Sequence, residues 1–255
     1  MLLAFDIANT NIKIGMFQDD KLKATWRIAS GIHRMPDEYA VILLELLRHR
    51  GIDTADITKG AISCVVPPLL TVFHELMETY FNIKPLVVGP GVKTGVRIRT
   101  DNPREVGADL IANAAAALHL YTPPVIVVAM GTATAFATVS REGDYLGGAI
   151  APGLGISAEA LYTRTAALPR VELVRPKKAI GPSTIAAMQS GIIFGYAGLI
   201  DGIVNRIQEE LGEKALVVAT GGYAGIIANE SKTIDTFNSD LTLIGIKIIH
   251  DMNRA

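Results

Sequence analysis

The sequence of 255 residues predicts an α/β protein built from two duplicated lobes. Three observations carry that expectation: short β-type runs punctuated by Gly, Asn and Asp, helical stripes between those runs, and one strand-and-turn unit that occurs twice. Leu2-Leu3-Ala4-Phe5-Asp6-Ile7-Ala8-Asn9-Thr10 and Val125-Ile126-Val127-Val128-Ala129-Met130-Gly131-Thr132-Ala133 share strand, turn and hydroxyl in the same order.

Leu2 to Phe5, Ile12 to Phe17 and Lys21 to Ile28 read as three adjacent strands in a meander, with Gln18-Asp19-Asp20 as the second turn. Between Asp37 and His49, the apolar residues Tyr39, Val41, Ile42, Leu44, Leu46 and Leu47 form a helical stripe. Asp37 and Glu38 in its first turn suit the positive end of the helix dipole. A strand at Ala61 to Val65, a helix after Pro67-Pro68 and a strand at Pro85 to Val88 continue the alternation, and Leu110 to Leu120 reads as an apolar helix. The second half repeats the plan with a strand at Val125 to Val128, a turn at Gly131 to Thr134, and strands at Phe136 to Val139 and Tyr145 to Ile150. A long helix follows Pro182 to about Leu211, and a strand at Leu216 to Ala219 ends at Thr220-Gly221-Gly222. No Ser- or Gly-rich linker marks the junction, which is expected near residue 115, giving lobes 1–115 and 116–255.

Composition narrows the function. Twenty-four Lys plus Arg against 25 Asp plus Glu, with no run of like charge, gives no footprint for a nucleic acid or a membrane surface. No apolar run is expected to reach the roughly 18 to 20 residues needed to cross a bilayer, and the N-terminus reads as a buried strand rather than a signal peptide. A cytoplasmic protein is expected. Cys64 is the only cysteine, so no internal disulfide forms, and the five histidines stand at no short metal-ligand spacing.

The chemistry lies in the turns. A strand ending in Asp6, followed by a small residue and Asn9-Thr10, suits phosphate: backbone amides and a hydroxyl face the anion, Asp6 holds a hydrated Mg²⁺, and Lys13 reaches the same phosphates. A plain β-hairpin is the competing reading, and the duplicated copy favours phosphate. Thr132 and Thr134 would then supply hydroxyls from the second lobe, with the nucleotide in a cleft between the lobes. At Gly221-Gly222 the backbone can approach an adenine or ribose closely. Asp109, at the start of the Leu110 helix, is either a base accepting a substrate hydroxyl proton or a helix cap.

These residues, together with Val65-Val66-Pro67-Pro68, Val88-Gly89-Pro90-Gly91-Val92-Lys93-Thr94-Gly95, Asn102 to Asp109, Gly147 to Gly153 and Ala187-Met188-Gln189-Ser190-Gly191, resemble the type III pantothenate kinases of the actin-like ATPase superfamily. The resemblance runs nearly end to end. It implies two duplicated actin-like (ribonuclease H-like) domains with a nucleotide cleft between them, and a homodimer that phosphorylates pantothenate with ATP and Mg²⁺ on the way to coenzyme A. It implies that Asp6, Asn9, Thr10, Lys13 and Thr132 bind the nucleotide phosphates and that Asp109 is the base. Gly107, Ala108, Asp109 and Leu110 would line the pantothenate pocket, which Thr184 reaches from the partner subunit.

Four positions depart from the family pattern. Ala8 stands where the family has glycine, Thr100 where it has a pocket tyrosine, and Leu110 where it has an arginine suited to the pantothenate carboxylate. Ala129 replaces the aspartate that would hold an activating monovalent cation, K⁺ or NH₄⁺. Arg97, Arg99 and Arg104 are candidates to restore the missing positive charge. The alternative to a working kinase is a catalytically impaired paralogue that binds nucleotide or regulates a partner.

Overall fold

The computed structural model describes residues 1–254 and divides into two compact units. In the first, the meander is β1 (Leu2–Ile7), β2 (Asn11–Gln18) and β3 (Lys21–Ala29), followed by α1 (Pro36–His49), β4 (Lys59–Cys64), α2 (Pro67–Phe81) and β5 (Leu86–Val87). The sheet order is β3-β2-β1-β4-β5, with β1 antiparallel to β2 and parallel to β4. Period-two alternation turns Leu3, Phe5, Ile7, Ile12, Ile14 and Ile62 to one face. There they pack with Tyr39, Leu43 and Leu47 of α1 and Leu69, Phe73 and Leu76 of α2. Phe73 joins the layers, its ring centroid 5.0 Å from Phe5 and 4.8 Å from Tyr39. The same alternation turns Asp6 to the opposite face.

Strand β6 (Arg97–Ile98) and helix α3 (Ala108–Leu120) lead toward the second half. Helix α3 belongs to the first unit as far as Ala116 and to the second from Ala117. The second unit then builds β7 (Val125–Met130), β8 (Ala133–Val139), β9 (Asp144–Pro152), α4 (Leu154–Thr163), α5 (Thr184–Leu211), β10 (Leu216–Gly221), α6 (Ala224–Ile227) and β11 (Thr236–Phe237). Its sheet runs β11-β10-β7-β8-β9-β6. Strands β7 to β11 therefore repeat the order and neighbours of β1 to β5, with β6 added at the edge. Even the burial alternation of β1 and β7 is the same. The core of this unit joins Ile126, Val128, Val217 and Ala219 to Ile193, Tyr196, Ile200 and Val204 of α5.

Two expectations change here. Helix α5 is long and apolar enough to meet the length and composition of a bilayer-crossing helix, which the sequence reading did not foresee. Its stripe of buried residues is the core of the second unit, so its apolar character has a structural cause. Helix α7 (Leu241–Met252), assigned by the 116–255 division to the second lobe, belongs to the first unit. It lies on β1, β2 and β4, on the face that α1 and α2 leave open, and buries Leu241, Leu243, Ile246 and Ile249 completely.

Candidate functional site

In the first unit, strand register places three functional side chains in one row. Asp6 pairs with Lys13 across the antiparallel β1–β2 ladder and with Ser63 across the parallel β1–β4 ladder, so Lys13, Asp6 and Ser63 stand side by side on one face. They sit near the carboxyl ends of β1 and β4, where open α/β sheets bind ligands. Ser63 is fully buried, and its Oγ has no hydrogen-bond partner.

Asp109 enters the same group from the first turn of α3. Burial pushes the Asp6 carboxyl up from its ordinary 3.8 to about 7; the nearby Asp109 charge adds to the rise and Lys13 opposes it. Asp109 is likewise raised, chiefly by burial, against a stabilising bond from the Leu110 amide. That N–H donates to Oδ1 at 2.9 Å. A helix cap reaches an amide two or three residues on, so this adjacent bond is not a cap. Two neighbouring carboxyls whose affinities for protons are both raised are suited to share a cation or to take up a proton.

The turn after β1 is braced from behind. The Ala8 amide donates to the Asn11 carbonyl at 3.1 Å, and the Ser30 amide to the Thr10 carbonyl at 3.0 Å. The Ser30 hydroxyl donates to the Ala8 carbonyl at 2.5 Å. Asn9 and Thr10 are exposed at the tip. Among the described residues, Asp19 and Asn82 are the non-glycine residues with positive φ, so Ala8 sits on ordinary backbone and carries its methyl without strain.

In the second unit, the matching turn is closed by the Gly131 amide on the Ala133 carbonyl at 2.9 Å and the Gly153 amide on the Thr132 carbonyl at 3.0 Å. Thr132 is half-buried at the tip. Thr134 departs from expectation: it is fully buried, and its hydroxyl bonds to the Tyr196 hydroxyl, which also donates to the Pro152 carbonyl at 3.0 Å. Strand alternation turns it into the core, away from any phosphate. Ala129 is half-buried between Ala135 and Thr220 and brings no carboxylate. Gly221 has φ +101, and a Cβ there would stand 2.3 Å from the Met130 carbonyl oxygen, so packing of β10 on β7 requires this glycine without any ligand. Gly222 beside it is exposed.

The expected substrate residues divide between the units. Gly107, Ala108, Asp109 and Leu110 cluster at the start of α3, where a Cβ on Gly107 would stand 3.6 Å from Val65. Thr184 opens α5 and lines a groove of about 900 Å³ walled by Leu161, Leu168, Met188 and Ile192. Arg97 and Arg99 are both engaged by Asp144, at 2.6 and 3.3 Å, while Arg104 is exposed. Thr100 keeps a buried Oγ1 without a hydrogen-bond partner. Ser63 reaches the site through sheet pairing and Ser30 from the end of β3, so neither stands in a local motif. The hydroxyl of Ser30 at the end of β3 and the polar residue inside the β4 apolar run were the available signals.

A Lys13-Asp6-Ser63 row beside a braced turn, in sheets repeated in this order, is the arrangement of a protein with two duplicated actin-like domains. The fold is shared with the inorganic polyphosphate/ATP-glucomannokinase of Arthrobacter sp. strain KM, with a TM-score of 0.53 and 15% identity over 98% of this chain and 97% of that one. The profile of the type III pantothenate kinases matches residues 2–206. The chain is 54% identical over 254 residues to a type III pantothenate kinase of Dehalococcoides mccartyi, covering 100% of this chain and 97% of the relative. It is also 54% identical over 255 residues to one from a Roseiflexus species, covering 100% of both. The chain belongs to the type III pantothenate kinase family.

Proposed function

We propose that this protein transfers the γ-phosphoryl group of ATP to pantothenate, giving 4′-phosphopantothenate for coenzyme A synthesis in the cytoplasm. The observation that carries this reading is the Asp109 carboxyl, held beside Asp6 with its proton affinity raised by burial. A carboxylate in that state takes the proton from the attacking hydroxyl more readily than an ordinary aspartate does. ATP supplies the transferred group, and Mg²⁺ neutralises charge on its phosphates. The site suits that cation, because Asp6 offers hard carboxylate oxygens beside a second acid and only Lys13 offsets their charge. Asn9, Thr10 and Lys13 bind phosphate oxygens in the first unit; Thr132, Gly221 and Gly222 approach the nucleotide from the second. A monovalent cation does not fit at Ala129, whose methyl cannot serve as its ligand.

Gly107, Ala108 and Leu110 line the pantothenate pocket. Leu110 leaves the substrate carboxylate without a guanidinium, a charge-assisted bond worth about 1.5–3 kcal/mol. Exposed Arg104 is the nearest cation in sequence that an ion pair does not already engage. The active form is a homodimer joined through the α4–α5 face. The apolar groove at Thr184 supports this, as do exposed Ile156, Tyr162, Ile180 and Ile185 on the segments that wall it. In that dimer Thr184 serves the partner's pocket. The balanced charge of the chain supports a small-molecule enzyme rather than a nucleic-acid or membrane-surface protein.

Leu110, Thr100 and Ala129 favour a second reading, an impaired paralogue that retains nucleotide binding. Asp109→Asn separates the two. If the protein is a kinase, the variant loses about 10²- to 10⁴-fold in kcat and keeps its ATP affinity, as read by coupled ADP release and calorimetry. Wild-type protein that binds ATP but phosphorylates no pantothenate would establish the paralogue instead.

A further inference from the structure

The turn that carries Asn9 and Thr10 is braced from the end of a neighbouring strand. Four residues, Ala8 to Asn11, link the paired ends of β1 and β2, and the Ala8 amide closes the turn from within on the Asn11 carbonyl. Ser30 adds two bonds from outside it. Its hydroxyl takes the Ala8 carbonyl at 2.5 Å and its amide takes the Thr10 carbonyl at 3.0 Å. A peptide carbonyl fixed on one side of a turn directs the following amide to the other side, because the two groups of one planar peptide point in opposite directions. Holding the Ala8 carbonyl therefore aims the Asn9 amide, and holding the Thr10 carbonyl aims the Asn11 peptide.

Ser30 is itself anchored. The next residue, Gly31, donates its amide to the Tyr39 hydroxyl at 2.8 Å. Tyr39 is 1% exposed, packed against Phe73 in the first unit's core. Its χ angles are set by that packing, so its hydroxyl is a fixed point rather than a rotor. A continuous path thus runs from the aromatic core through Tyr39, Gly31 and Ser30 to the tip of the turn. In the matching turn of the second unit, the Gly153 amide donates to the Thr132 carbonyl.

We propose that Ser30 is a positioning residue for nucleotide phosphate: with Tyr39 behind it, it fixes the Ala8–Asn11 turn so that the turn's amides converge on an anion. The inference rests on the reading that this turn binds ATP. Ser30 touches no ligand on this account; it acts through the peptides of Ala8 and Thr10.

The test measures ATP affinity by calorimetry, KM for ATP and for pantothenate, and the melting temperature, for wild type, Ser30→Ala, Ser30→Thr and Tyr39→Phe. Ser30→Ala is expected to weaken ATP binding and raise KM for ATP about tenfold, the worth of one hydrogen bond, with KM for pantothenate within about twofold of wild type. Ser30→Thr keeps the hydroxyl and restores ATP affinity. Tyr39→Phe shifts KM for ATP in the same direction as Ser30→Ala. A general structural role would instead move both KM values and the melting temperature together. Wild-type ATP affinity in Ser30→Ala overturns the proposal, and so does failure of Ser30→Thr to restore it. If the wild type itself fails to bind ATP, the reading of the turn falls first and this inference falls with it.

Discussion

Asp6 carries a conflict built into its position. Its carboxyl is pushed up to about 7, by burial first and then by Asp109, whereas in the unfolded chain it titrates near 3.8. Between those values the folded protein binds the extra proton, so this residue's share of stability is fully present below about pH 4 and lost as pH rises through 7. The metal-free protein should therefore lose up to about 4 kcal/mol from this group between pH 4 and pH 8. Asp6→Asn, which cannot ionise, should melt higher than wild type at pH 8 and close to it at pH 4; equal melting differences at both pH values would sink the account. The residues of this conflict were legible in sequence, since Asp6, Lys13 and Asp109 all appear in short motifs. Ser63 and Ser30 were not, because register and a distant strand end bring them to the site. Thr134 looked like a second phosphate hydroxyl only because sequence does not reveal which face of β8 it occupies.

At the level of elements, the longer strands declared themselves, whereas helices α4, α6 and α7 did not. Alternation and turn residues marked β1 to β3 and β7 to β9 closely, and Pro67 and Pro182 announced α2 and α5. Helix α7 escaped because Leu241, Leu243, Ile246, Ile248 and Ile249 make an apolar cluster without a clear period, a pattern as consistent with a buried strand as with a helix. It is apolar on nearly every side because it lies between the sheet and α3. Gly245 records how close that packing is: a Cβ there would come within 1.8 Å of the Ala112 carbonyl oxygen on α3. The two backbones touch at this crossing, and the Thr242 hydroxyl donates to Asn113 Oδ1 at 2.9 Å one turn away. Gly245→Ala would improve helix propensity by about 1 kcal/mol, yet it must force the helices apart. We expect a net loss of about 2 kcal/mol or more in denaturant unfolding. Since α3 carries Asp109, the same variant should lower kcat. A Gly245→Ala protein as stable as wild type would show that α7 does not cross α3 at this point.

At the scale of the whole molecule, duplication explains what the chain shares between its halves, and the α4–α5 face explains what it does not. Strands β1 to β5 and β7 to β11 form the same sheet twice, but α5 runs for 28 residues, from Thr184 to Leu211. Gly191, Gly195 and Gly198 are exposed along it, and a methyl on any of them would meet nothing within 4 Å. Glycine in a helix interior is destabilising by about 0.5–1 kcal/mol relative to alanine. Three in one helix therefore weaken it for no gain within a single chain, whereas a second backbone approaching that face would need the space they leave. The groove at Thr184 lies on the same helix. This makes an unusually clean test of the homodimer, because Gly195→Glu should be harmless to one chain: the site is open, and glutamate is a far better helix former. Light scattering should give the wild type twice its chain mass of 27.2 kDa. The variant should run at the chain mass itself, with an unchanged circular dichroism spectrum and an unchanged affinity for ATP. If Thr184 completes the partner's pocket, the monomeric variant should also lose phosphorylation of pantothenate. A wild type that is already monomeric, or a variant that remains a dimer, would move the subunit contact away from α5 and leave its glycines unexplained.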